Sequence, residues 1–155
     1  MTVVRVVLGT DRIHVVSDDG SFALPLGVDT VTAAMASDPP RPEELTNAIG
    51  VVQDHLEDAT REVPSIEFAQ RVEFAGHGVA TLADVEVGVS TPLPHELSRE
   101  AAEDVFRTLV TERRQQRSLN PGLAADMVQP VLGVASVVVA AMRFLHADTV
   151  WLVDE

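Results

Sequence analysis

The stretch Val131–Met142 is apolar all the way round a helix, interrupted only by Gly133 and Ser136. A helix with no polar face has to be surrounded by protein. The run is well short of the roughly 20 residues that a membrane-crossing helix needs. It therefore predicts a buried core helix, spanning about Ala125–Phe144, that the rest of the chain must enclose.

The remaining segments supply that enclosure. Val3–Leu8 and Arg12–Ser17 are rich in β-branched residues and are separated by the turn Gly9-Thr10-Asp11, which predicts a hairpin. Asp18-Asp19-Gly20 is a second turn signal, and Phe22–Leu26 reads as a third strand. Val28–Ala36 and about Pro42–Arg61 read as helices. The second of these has Leu45, Ile49, Val52 and Leu56 on one face, and Pro42 with Glu43 and Glu44 favours its start. A strand over Arg71–Ala75 runs through Gly76-His77-Gly78 into a helix over Val79–Val87. Ser98 caps a further helix, about Arg99–Arg117, with Val105, Phe106, Leu109 and Val110 as its inner stripe. After Asn120-Pro121-Gly122 come the apolar helix and a closing strand, Thr149–Val153. The expectation is one α/β domain over residues 1–155, with a mixed five-stranded sheet flanked by helices. A leading meander followed by strands alternating with helices is the layout of a ribonuclease H-like lobe.

Composition removes several classes of function. There is no cysteine, so thiol chemistry, disulfides and cysteine-ligated metals are out. All 11 basic residues are arginine, so a Walker-type phosphate loop is out as well. A net charge of −13 repels nucleic acid and anionic membranes. The chain opens without a basic n-region leading into a long apolar segment, so the expectation is a cytoplasmic protein.

Candidate chemistry concentrates in two turns. Strand, glycine turn, helix is the arrangement that aims backbone N–H groups at an anion, which singles out Gly76, His77, Gly78 and Thr81. Gly9, Thr10 and Asp11 form the other. Asp11, Asp18 and Asp19 are accounted for by turn chemistry. The five histidines show no metal-ligand spacing, so no metal site is expected. Arg113, Arg114 and Arg117 form the only basic cluster, read as solvated charges complementing a helix C-terminus.

Several segments, in order along nearly the whole chain, carry a resemblance. Ser21–Gly27 (SFALPLG), then Ser37-Asp38-Pro39-Pro40 and Pro42-Glu43-Glu44-Leu45, resemble a passage of the form SLPLG…SDPPTPEEL. Gly76–Ala83 (GHGVATLA) resembles GGTATTLA, Pro121-Gly122-Leu123 with Gly133 resembles PGL…GG, and Val150–Asp154 resembles a closing VVSD strand. These are motifs of the exopolyphosphatase / guanosine pentaphosphate phosphatase (Ppx/GppA) family. The resemblance implies the actin-like ATPase superfamily fold, and only the second of the family's two lobes.

It also implies a degenerate site. The family's phosphate loop, D-x-G-G-G-S-T-E, corresponds here to Val7-Leu8-Gly9-Thr10-Asp11-Arg12, with Val7 in place of the aspartate. His77 stands for a glycine, while Gly78 and Ala80 stand for threonines. The segment before the last helix, where Met127-Val128-Gln129 stand, has no arginine to pair an anion. The expectation is therefore a binding or regulatory module without catalytic residues or a cofactor. It would act through self-association, as a homodimer, or through a protein partner at the face that lines the family's cleft. Two alternatives stand beside it. One is an exopolyphosphatase or pentaphosphate phosphohydrolase, magnesium-dependent, with a cleft assembled between two chains. The other is a sensor of a small phosphate ligand.

Overall fold

A computed structural model describes residues 1–155. The meander is present as β1 (Val3–Leu8), β2 (Ile13–Ser17) and β3 (Gly20–Leu24). Helices α1 (Val28–Ala33) and α2 (Pro42–Glu62) lead to β4 (Arg71–Gly76), which pairs parallel to β1. Then follow α3 (Val79–Val87), β5 (His95–Ser98), α4 (Arg99–Thr111), α5 (Arg114–Arg117), α6 (Pro130–Phe144) and β6 (Thr149–Leu152). β6 is parallel to β4 and antiparallel to β5. The result is one mixed sheet in the order β3-β2-β1-β4-β6-β5.

The sheet has six strands, where the sequence predicts five. The extra one, His95-Glu96-Leu97-Ser98, contains no β-branched residue and follows Pro92 and Pro94. It is a strand because Glu96 and Leu97 pair with Trp151 and Val150 and because Leu97 is buried. Tertiary pairing, not propensity, specifies it. Three helix boundaries also move, the first being α1, read to Ala36, which ends at Ala33. The helix predicted through Arg117 stops at Thr111, because Glu112 and Arg113 adopt extended backbone (ψ 144° and 157°) before the short α5. The core helix starts at Pro130, after a 3₁₀ turn over Ala125–Met127. Proline suits that first helical position because the amide it lacks would have had no partner there.

Two parallel steps carry the chain across the sheet, from β1 to β4 and from β4 to β6, both in the same direction. Right-handed connections that step the same way place their helices on the same face. That is what is seen: α6 lies at the centre of one layer, with α1, α2, α3 and α4 packed around it. Every residue from Val131 to Met142 is buried. Val4, Val6, Leu8, Phe74, Val150 and Leu152 line the inner face of the sheet and complete the core.

The outer face carries no helix. One row across it reads Val16, Arg5, Glu73, Trp151, set by the registers Arg5↔Val16, Arg5↔Glu73 and Glu73↔Trp151. Arg5 Nη2 and Arg71 Nε donate to the two oxygens of Glu73 at 2.8 and 2.9 Å. The Arg71 guanidinium sits 4.7 Å from the centre of the Trp151 ring. Partial burial alone would raise the Glu73 carboxyl's pKa, but the two arginine hydrogen bonds outweigh it and hold the pKa below the usual range.

Candidate functional site

β1 and β4 end level with each other, Leu8 opposite Gly76, so the two glycine turns emerge side by side at the C-terminal end of the parallel strands. In open α/β sheets this is where ligand sites form. The backbone of Gly76 and Gly78 is left-handed, at φ 96° and 82°. A side chain on Gly76 would also strike the Leu8 carbonyl, and one on Gly78 would strike Val134 of α6. The turn therefore needs glycine on both sides of His77. His77 itself is exposed, with its N–H donated to the Leu8 carbonyl at 2.8 Å.

The β1–β2 turn is tied down in a similar way. The Gly9 N–H donates to the Arg12 carbonyl at 2.9 Å. The Gly9 and Thr10 carbonyls accept from the Val28 and Asp29 amides at 2.9 and 3.1 Å. The first amides of α1 are thus capped by the turn and are not offered to a ligand.

Between the turns lies an open groove of about 660 Å³. Five of the seven sequence-predicted residues line it: Gly9, Thr10, Asp11, Gly76 and His77. Gly78 and Thr81 do not. Gly78 opens α3 against Val134 and Met127, and Thr81 is half-buried in the first helical turn. Val7 also lines the groove, an apolar side chain where the resemblance implies a carboxylate. The groove further gathers Arg12, His14 and Glu155, which sequence reasoning did not assign to it. A signal for His14 existed: a tight β1–β2 hairpin sets it opposite Val7. No three His, Asp or Glu side chains converge to hold a metal ion.

The basic cluster divides. Arg113 and Arg114 are exposed, but Arg117 is only 1% exposed, against the expectation of a solvated charge. Its guanidinium donates to the carbonyls of Val128 (3.1 Å), Leu109 (3.3 Å) and Glu112 (2.7 Å) and to Gln129 Oε1 (2.9 Å). Burial pulls its pKa below the usual arginine value. Arg117 is a strut that closes the end of α4 and holds the segment leading into α6.

This sheet order, with the helices on one face and two glycine turns at the strand ends, is that of one ribonuclease H-like α/β lobe. No protein-family model matches the sequence, and no curated protein matches it. Solved structures do. An exopolyphosphatase-like protein superposes with a TM-score of 0.88 at 19% identity, covering 99% of this chain and 55% of that one. The PPX-GPPA enzyme of Aquifex aeolicus superposes at 0.86 with 17% identity, covering 99% and 54%. An exopolyphosphatase from Cytophaga hutchinsonii gives 0.77 at 11%, covering 99% and 53%. The chain has the fold of one lobe of Ppx/GppA-type proteins and spans about half the length of the structures it matches. No helix is long and apolar enough to cross a membrane.

Proposed function

We propose that this lobe is a degenerate relative of the second lobe of the Ppx/GppA phosphatases and binds without turning substrate over. In this reading it is a regulatory module whose groove end docks a protein partner. One observation carries the reading. One amide of each turn, that of Gly9 and that of His77, is spent inside the protein, on Arg12 O and Leu8 O, and is withdrawn from any phosphate cradle. Val7 supports it, since an isopropyl group can neither ligate magnesium nor orient water.

A second reading, a sensor of a small phosphate ligand, is favoured by the gathering of Thr10, Arg12, His14 and His77 in one groove. The experiment is a thermal-unfolding scan with magnesium plus polyphosphate, ATP or guanosine pentaphosphate, paired with a phosphate-release assay. The binding-module reading expects no release and no shift. A ligand at about 100 times its dissociation constant would stabilise the fold by roughly 2.7 kcal/mol. Such a shift, lost in His77→Ala, would establish the sensor. Steady release lost in the same variant would overturn the non-catalytic reading altogether.

A further inference from the structure

We propose that the groove between the two glycine turns is a proton-gated seat for a small, doubly charged oxyanion, closed to it by charge at neutral pH and opened when His14 and His77 are protonated. The gate deepens the sensor reading of the groove and rests on it.

The fold brings the two histidines to one place. Ile13 and Val15 turn into the core, so the alternation of β2 puts His14 on the other side, across from Val7 of β1. His77 follows β4, on the opposite flank of β1. Its backbone is fixed by a left-handed glycine on either side and by the hydrogen bond to Leu8. β2 and β4 lie two strand spacings apart, about 10 Å, and both imidazoles border the same groove.

The charged and titratable groups facing the groove come from every element around it. The β1–β2 turn supplies Asp11 and Arg12, β2 supplies His14, the β4–α3 turn supplies His77, and the segment after β6 supplies Glu155. The Val153 N–H donates to the Phe74 carbonyl, which fixes the way the chain leaves β6 and carries Glu155 to the groove. The next row of the sheet adds no free cation, because Arg5 is held by Glu73. With neutral imidazoles, Arg12 faces two carboxylates and the lining is negative by one charge. It then adds to the −13 of the whole chain in repelling an anion. Two imidazolium charges reverse the lining to one positive charge. Imidazole is the side chain that makes this change between about pH 8 and about pH 5. The reversal depends on which residues line the groove, not on how far it is open to solvent.

Protonation also replaces donors that the backbone has withdrawn. The Gly9 and His77 amides are spent inside the protein, so an anion finds its donors in side chains. Arg12 and Thr10 offer theirs at any pH. A neutral imidazole sets one lone pair against the anion for each N–H it offers, whereas imidazolium offers two N–H groups and no lone pair.

Isothermal titration calorimetry with sulfate tests the gate, with chloride at equal ionic strength as the reference. Sulfate keeps both charges throughout, whereas a phosphate monoester changes its own at about pH 6. A hydrogen bond from one imidazolium is worth about tenfold in affinity, so sulfate is expected to bind tenfold tighter or better at about pH 5.5 than at about pH 8. The double variant His14→Gln/His77→Gln loses this pH dependence. Arg12→Gln weakens binding at both pH values and leaves their ratio unchanged. In NMR titrations the ring resonances of His14 and His77 move with sulfate, while those of His55, His95 and His146 stay in place. Thermal melts by circular dichroism confirm that each variant is folded. Equal binding at the two pH values overturns the gate and leaves the small-anion reading standing. A pH dependence that survives the double variant does the same. Ring resonances that move together in all five histidines report screening alone and overturn the gate as well. Sulfate that binds at neither pH overturns the gate and the sensor reading together.

Discussion

Removing the Arg117 guanidinium is the most informative perturbation of this fold. Arg117→Ala deletes a buried cation and leaves four acceptors without a donor: the carbonyls of Leu109, Glu112 and Val128, and Gln129 Oε1. A buried acceptor left unpaired costs at least about 1 kcal/mol, so the total is about 4 kcal/mol. For a domain of this size that lowers Tm by roughly 10 °C. Arg117→Met keeps most of the side-chain volume but none of the donors, and costs nearly as much as Ala if hydrogen bonding dominates, less only by the packing it retains. Arg117→Lys keeps the charge and part of the donor set, at a cost of about 2 kcal/mol. Urea denaturation followed by circular dichroism measures all three. The expected order of loss is Ala, then Met, then Lys. If Arg117→Ala falls within about 1 kcal/mol of the wild type, the side chain is not a strut and the solvated reading was right.

Other expectations follow from close contacts and ion pairs. Gly133→Ala sets a methyl group against Thr32 Oγ1 and 2.6 Å from the Val28 carbonyl, forcing α1 off α6; a loss of about 2 kcal/mol is expected in chemical denaturation. Arg143 holds Glu103 through two hydrogen bonds, at 2.9 and 2.7 Å, and these lower the Glu103 pKa against the opposing effect of burial. Glu73 is lowered likewise. A carboxyl depressed in the folded state adds stability above its unfolded pKa and loses it as pH falls through the folded value. The acid limb of a pH–stability curve is therefore expected to be shallower in Glu103→Gln than in the wild type, with about 1 kcal/mol lost at neutral pH. An unchanged acid limb would mean that the pair adds nothing to stability.

Local chemistry made most of the fold legible, and the exceptions have a common cause. The meander, the Val79–Val87 helix and the buried apolar helix are written in turn residues, β-branching and hydrophobic pattern. β5 is not, because a four-residue edge strand without a β-branched residue exists only through pairing with β6, more than fifty residues later. The break after Thr111 has no glycine or proline to announce it. It is fixed by Arg117 reaching back to Leu109 and Glu112, and an arginine in a string of polar residues reads as solvent-facing. At the groove, both glycine turns were legible as turns. Which of their amides are free was not, since that depends on β4 lying beside β1 and on α1 docking against Gly9 and Thr10.

The position of α6 in the chain has a consequence for biosynthesis. The helix that the other helices pack against is made after all of them, and β6, which flanks β4, comes after it. While residues 1–129 emerge from a ribosome, α1, α2, α3 and α4 have no apolar partner to close on, and β4 lacks one neighbour. The nascent chain can form its hairpins, but not a core. The cooperative transition waits until Phe144 has cleared the exit tunnel, and up to that moment the inner stripes of four helices have no core to close on.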